Sequence, residues 1–253
     1  MTTQLFEDLD DLRDRTVIVT GASSGIGAAT ARALYAAGAR PVLAARRIER
    51  LEPLGAELGG ALCVRVDVTD AEQAEELVGR TLERHGRIDG LVNNAGASLH
   101  DRPIEKLDLG EFRQILDLNV VSVIRLMQLV LPVMHDRGFG RIVNISSGTT
   151  RMAIPGVGGY ASSKSTVNML SAVARKELEG TGVTVGLVLP SITATEFADG
   201  RFLNGQQHVR PGMVVHSPEY VAGFILRALS TGEERIDIPH GAEQPEAARV
   251  PSA

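Results

Sequence analysis

Residues 16–27 read TVIVTGASSGIG. Five residues rich in β-branched side chains are followed by a glycine- and serine-rich turn, and then by the start of a helical pattern. A short apolar run without alternation is the mark of a strand covered on both faces, as in parallel sheets. The turn puts Gly21, Gly25 and Gly27 where the backbone must bend tightly, and Ser23, Ser24 and Ile26 at the mouth of the following helix. A helix N-terminus behind such a turn presents unpaired N–H groups to a phosphate. Strand, turn and helix in this order predict that residues 21–27 cradle the pyrophosphate of a dinucleotide, the alternative being a tight turn with no ligand.

The same alternation continues along the chain. Strands are expected at 40–45 (RPVLAA), 61–66 (ALCVRV), 90–94 (GLVNN), 141–146 (RIVNIS), 183–189 (VTVGLVL) and 235–239 (RIDIP), with helices over 25–37, 47–58, 70–85, 111–136 and 160–179. A last helix opens at SPEYVAGFILRAL, with Ser217 as its cap and Pro218 in its first position. Strand–helix alternation of this kind predicts an α/β fold, a doubly wound and mainly parallel seven-stranded sheet with helices on both faces. The whole chain, 1–253, reads as a single domain with an N-terminal leader over 1–14, a lid-like segment over 196–216 and a loose tail over 240–253. Ligands of such sheets sit beyond the carboxyl ends of the strands.

Composition narrows the function further. With 253 residues, 43% of them hydrophobic, the chain can bury a large core. A net charge of −5 offers no basic face to a phosphate backbone, so nucleic acid is not an expected partner. The lone Cys63 permits no internal disulfide and reads as a small core residue, and the acidic start MTTQLFEDLDDLRDR lacks the pattern of a signal peptide. The most apolar stretch, 119–134, carries Arg125 and Gln128 and meets Pro132, short of the roughly 18 uninterrupted apolar residues of a span. A cytoplasmic protein with no membrane partner is expected.

The second strand ends in LAARR, where a site for the unphosphorylated ribose places an acidic residue. Arg46 and Arg47 suit a 2′-phosphate instead, and one or two charge-assisted hydrogen bonds favour NADP(H) over NAD(H) by about ten- to a thousandfold. Asp67 and Val68, after the third strand, are expected beside the adenine.

GGYASSK (158–164) sets Tyr160 and Lys164 one helical turn apart. Alone the pair means little, but TGASSGIG (20–27), NNAG (93–96), LNV (118–120), NISS (144–147) and YASSK (160–164) together closely resemble the short-chain dehydrogenase/reductase family, from about Arg15 to Leu229. The resemblance implies a Rossmann fold, a nicotinamide cofactor, and hydride transfer between it and a carbonyl or secondary alcohol. It assigns catalysis to Asn119, Ser147, Tyr160 and Lys164, and the cofactor wall to Asn93, Ala95, Gly96, Pro190, Ile192 and Thr195, with Tyr160 and Lys164 also touching the cofactor. In that picture Ser147 binds the substrate oxygen, Tyr160 exchanges the proton, Lys164 lowers the phenol from about 10 and holds the ribose, and Asn119 positions a relaying water. Ser191 stands where the family has a glycine after Pro190, which bears on the shape of that loop. Ser147, Met152 and Phe197 are the substrate-facing candidates, with Ile154, Phe202 and Met213 as further apolar lining and His100 and Arg151 as polar handles. No histidine spacing suits a metal. An NADPH-dependent carbonyl reductase is the leading expectation, ahead of alcohol oxidation by the same residues and of a non-catalytic NADP-binding sensor. The apolar helices 111–136 and 160–179 resemble the family's usual subunit-packing helices, and that resemblance implies a homodimer or homotetramer.

Overall fold

The structure is a computed structural model, and it describes residues 9–99, 102–197, 200 and 214–239. Seven strands form one sheet: β1 (Thr16–Thr20), β2 (Arg40–Ala45), β3 (Cys63–Arg65), β4 (Gly90–Asn93), β5 (Gly140–Ile145), β6 (Val183–Leu189) and β7 (Arg235–Asp237). Their order is β3-β2-β1-β4-β5-β6-β7, and every pairing is parallel. The helices are α1 (Gly25–Ala36), α2 (Ile48–Glu57), α3 (Ala71–His85), α4 (Leu109–Leu116), α5 (Ser122–Arg137), α6 (Gly158–Glu177) and α7 (Pro218–Thr231).

The unalternating TVIVT run is explained by where its side chains go. Successive strand residues point to opposite faces. Val17 and Val19 join the core under α1, α2 and α7, with Leu34, Leu51 and Ile225, while Ile18 joins the core under α3 and α5, with Leu77, Leu126 and Met134. Both faces are buried, so both need apolar residues. Asp70, Asp108 and Ser217 cap α3, α4 and α7 by accepting from the N–H groups of Gln73, Glu111 and Tyr220.

Several boundaries differ from expectation. β3 and β7 are shorter than their apolar runs, and α6 opens at Gly158, which brings Tyr160 into its first turn. The long helix, expected over 111–136, passes through Pro132 as expected but is not a plain α-helix. It runs from Leu109 to Arg137 through a π-helical segment, Asp117–Val121, and by length and composition it is the one helix among the described residues able to cross a membrane. Leu126, Val130 and Met134 are buried in the core with β5 residue Ile142, which accounts for its apolar character. Within the leader, Leu9–Leu12 form a 3-10 turn, and Leu12 is buried in the core. Cys63 is half-buried, with its thiol against the Leu51 carbonyl at 3.2 Å. Residues 1–8 of the leader, His100, Phe202, Met213, most of the 196–216 segment and the 240–253 tail lie outside the described residues.

Candidate active site

The glycine-rich turn is built by close approach. Gly21 and Gly25 adopt left-handed φ of 65° and 53°. A Cβ on Gly27 would stand 2.3 Å from the Gly21 carbonyl oxygen and 2.7 Å from Asn94 Nδ2, so α1 packs directly on the turn that precedes it. Asn94 Nδ2 donates to the Thr20 carbonyl at 2.9 Å, and Thr20 Oγ1 accepts from the N–H groups of Asn94 and Ala95, both at 3.0 Å. The end of β4 is thereby clamped to the end of β1. Thr20 and Asn94 escaped the sequence reading, although the doubled asparagine of NNAG was a visible signal for the second.

The two arginines after β2 part company. Arg46 is exposed and faces the third-strand end. There burial pushes the Asp67 carboxyl up, but hydrogen bonds from Thr69 and the charge of Arg46 outweigh it and hold Asp67 low. Val68 is buried beneath. Arg47 turns to the glycine-rich loop and meets Ser23 and Ser24.

Beyond β4 and β5 the structure brings Asn119, Ser147, Tyr160 and Lys164 together, all at least nine-tenths buried. Asn119 lies in the π-helical segment, a local insertion often found at functional sites. Its Oδ1 accepts from the Ala97 N–H at 3.0 Å, and its Nδ2 donates to the Ala97 carbonyl at 3.0 Å and to Ser163 Oγ at 3.1 Å. It ties the wall after β4 to α6. Ser163 and the π segment were not legible as site features. Of the adjacent serines, Ser146 is committed to Asn168. Ser147 Oγ accepts from the Thr149 N–H at 3.2 Å and the Thr149 hydroxyl at 2.9 Å. With both lone pairs used, its own hydrogen is left to donate.

The Tyr160 ring packs on Leu99, Ile115, Ala97 and Leu107, and Phe197 lies 5.6 Å from it between centroids. Burial pushes the phenol up to about 12, with the Ser147 hydrogen bond working against it, and burial pushes the Lys164 ammonium down to about 8. The charge of Lys164 is not among the causes of the phenol's shift, and the expected lowering by Lys164 together with the cationic nicotinamide of the oxidised cofactor belongs to the cofactor-bound site. Lys164 Nζ instead donates to the Ile145 carbonyl at 2.8 Å, and desolvation of both groups dominates.

Lys164 carries a test of that burial. Its pKa lies below the unfolded value of 10.5, so the unfolded chain binds more protons between about pH 8 and that value. Its contribution to stability is fully present above the unfolded value and is lost as pH falls through about 8. Relative to Lys164→Met, the wild-type protein is therefore expected to gain stability between pH 7.5 and pH 9.5 in urea titrations. A constant difference would contradict the burial of the ammonium.

After β6, the Pro190 carbonyl accepts from the Gly148 N–H at 2.9 Å, and the Ile192 carbonyl accepts from the His216 N–H at 2.8 Å. Thr195 is buried with its methyl against Gly25. Ser191 avoids positive φ, so this loop carries no left-handed strain at the position of the missing glycine. Met152 ends the 3-10 turn Gly148–Arg151 that begins at Ser147, and is partly exposed. Arg151 pairs with Asp237 at 3.2 Å rather than standing as a polar handle.

These residues fit a nicotinamide dinucleotide. Asn93 Oδ1 is buried without a hydrogen-bond partner, and Lys164 Nζ uses one of its three donors among the described residues. A Cβ on Gly96 would come within 3.4 Å of that ammonium and 3.0 Å of Asn119 Oδ1, so only glycine leaves this wall open.

Comparison with known proteins agrees. A family model described as short chain dehydrogenase matches residues 15–204. The 3-oxoacyl-acyl-carrier-protein reductase of Synechocystis sp. is 35% identical over 227 residues, 87% of this chain and 90% of that protein. The 11-beta-hydroxysteroid dehydrogenase A of Sesamum indicum is 32% identical over 244 residues, 91% of this chain and 70% of that one. Among solved structures, an alcohol dehydrogenase from the archaeon Thermococcus sibiricus, complexed with 5-hydroxy-NADP, superposes with a TM-score of 0.79 at 27% identity, covering 92% of this chain and 99% of that one.

Proposed function

The chain belongs to the short-chain dehydrogenase/reductase family, an oxidoreductase of alcohol and carbonyl groups that uses a nicotinamide dinucleotide, and from that premise we propose that it is an NADPH-dependent carbonyl reductase. The observation that carries the cofactor, and with it the direction, is Arg46 and Arg47 after β2, where an acidic residue would suit the unphosphorylated ribose. A cell keeps its NADP pool reduced, which favours reduction.

In this reading Ser147, whose hydrogen goes to the Tyr160 oxygen in the free protein, turns it to the substrate oxygen, and Tyr160 gives up its proton to that oxygen as negative charge develops. Lys164 supplies positive charge one turn below the phenol and donors to the cofactor ribose. Asn119 is a positioning residue that fixes Ala97 and, through Ser163, the first turn of α6. When bound, the dinucleotide supplies the hydride. Residues 21–27 hold its pyrophosphate, Arg46 and Arg47 its 2′-phosphate, Asp67 and Val68 its adenine, and Asn93, Ala95, Gly96, Pro190, Ile192 and Thr195 its nicotinamide end.

Phe197, Met152 and the exposed Ile104, whose side chain lies against Gly158, give the substrate side an apolar rim. A medium-sized apolar ketone or aldehyde suits it. Exposed Met169 and Val173, one turn apart on α6, together with exposed Val121, suit a subunit contact in a cytoplasmic dimer or tetramer. A monomer by light scattering would refute that contact.

Fluorescence titration with NADPH and NADH tests the cofactor. NADPH is expected to bind at least about tenfold more tightly, and Arg46→Ala to erase most of that preference while leaving NADH affinity alone. Preference for NADH would overturn the NADP(H) assignment.

A further inference from the structure

Arg47 has a second partner besides the serines of the glycine-rich turn. Its Nε and Nη2 donate to Ser23 Oγ at 3.2 and 3.0 Å, and Nη2 donates also to Ser24 Oγ at 2.9 Å. Its Nη1 donates to one carboxylate oxygen of Glu196 at 2.9 Å, and Arg50 Nη1 donates to the other at 2.6 Å. Glu196 arrives from the loop after β6, 149 positions from Arg47, and occupies the place where an anion would meet this arginine.

Its neighbours on the chain reach two other parts of the site. Thr195 packs its methyl on Gly25 of the turn. Phe197, whose N–H donates to Thr195 Oγ1 at 3.3 Å, lays its ring on Tyr160. Three consecutive residues thus touch the phosphate-binding turn, Arg47 with Arg50, and the phenol.

We propose that Glu196 is a built-in competitor for the 2′-phosphate of the dinucleotide, and that its release from Arg47 draws Phe197 away from Tyr160. This rests on the NADP(H) reading above. Four of the five N–H donors of the Arg47 guanidinium are already in use, so a phosphate that binds it through two of them must displace an acceptor. The serine hydroxyls can turn and donate to the phosphate, but a carboxylate has no hydrogen to give and is repelled by the added negative charge. Glu196 is the partner that leaves. Its side chain is 44% exposed, and ion pairs so exposed are weak enough to exchange. NADH, without the phosphate, leaves the pair in place and Phe197 on the phenol. Glu196 therefore tempers NADPH affinity and makes uncovering of Tyr160 depend on the phosphate.

The chain contains no tryptophan, so Phe197→Trp in the full-length protein creates a single fluorescent reporter beside Tyr160. The probes are adenosine 2′,5′-bisphosphate and, as control, 5′-AMP, with binding followed independently by calorimetry. The bisphosphate is expected to shift the reporter's emission to the red, and 5′-AMP to leave it unchanged. Adding Glu196→Gln is expected to give the shifted emission without ligand. Glu196→Gln alone, in the chain that keeps Phe197, is expected to bind the bisphosphate roughly three- to tenfold more tightly and 5′-AMP as before. Emission that stays put while calorimetry records bisphosphate binding would overturn the link to Phe197. Unchanged or weaker bisphosphate affinity in Glu196→Gln would overturn the competition. Binding of 5′-AMP without binding of the bisphosphate would refute the 2′-phosphate assignment and the latch with it. Binding of neither would refute the dinucleotide site itself, a failure distinct from that of the latch.

Discussion

Tyr160→Phe is expected to lower turnover by about 10²–10⁴-fold, the range that general acid catalysis supplies. The substitution removes one hydroxyl and keeps the ring, which packs on Leu99, Ile115 and Leu107. Loss of the partner of Ser147 costs about 1 kcal/mol, or roughly 2–4 °C in melting temperature for a chain of this size. NADPH affinity should change by less than about twofold, a fraction of a kcal/mol, because the phenolic hydroxyl contributes little to holding the cofactor beside Lys164, the arginines and the turn. Steady-state kinetics beside fluorescence titration separate the two effects. Turnover like that of the wild-type protein would remove Tyr160 from the chemistry. Loss of turnover together with loss of NADPH binding would make it a structural residue.

Gly27→Ala is expected to damage stability and cofactor binding together. Alanine is the better helix former by up to about 1 kcal/mol, which taken alone would stabilise α1. Against that, the added Cβ would lie 2.3 Å from the Gly21 carbonyl oxygen, a backbone atom in the turn, and 2.7 Å from Asn94 Nδ2. The first obstacle is backbone, and the second, though a side-chain end, is held by its hydrogen bond to the Thr20 carbonyl. The turn must move, and it takes with it the clamp that Asn94 makes on Thr20. Overpacking of this kind costs about 1–3 kcal/mol, so melting should fall by roughly 3–10 °C. NADPH affinity should fall by more than about tenfold if the displaced N–H groups meet the pyrophosphate as proposed. A variant with unchanged melting and unchanged affinity would show that the close packing of α1 on its turn does not matter.

Most of the fold could be read because the inner strands are covered on both faces, which compels the unbroken apolar runs of TVIVT and VTVGLVL. The helix limits were legible where caps mark them, as at Ser217 and Asp70. The π-helical segment at Asp117–Val121 has no such marker. It depends on how Asn119 meets Ala97 and Ser163, contacts between residues far apart in sequence. The same reason limits the site. Five short motifs brought Ser147, Tyr160, Lys164 and Asn119 to attention, but not the ionisation of the pair. A turn of helix sets Tyr160 above Lys164, yet burial governs both groups, and Lys164 finds a carbonyl of β5. LAARR showed two adjacent arginines without showing that Arg46 faces Asp67 while Arg47 turns to Ser23, Ser24 and Glu196. That division is set by a residue 149 positions away, which no local pattern contains.

The central claim is tested most directly by following NADPH and NADH at 340 nm with the purified protein, across a panel of apolar ketones and aldehydes of increasing size. NADPH is expected to be consumed with at least one of them, faster than NADH at equal concentration, and consumption is expected to disappear in Tyr160→Phe. Faster use of NADH, or equal consumption by Tyr160→Phe, would contradict the account.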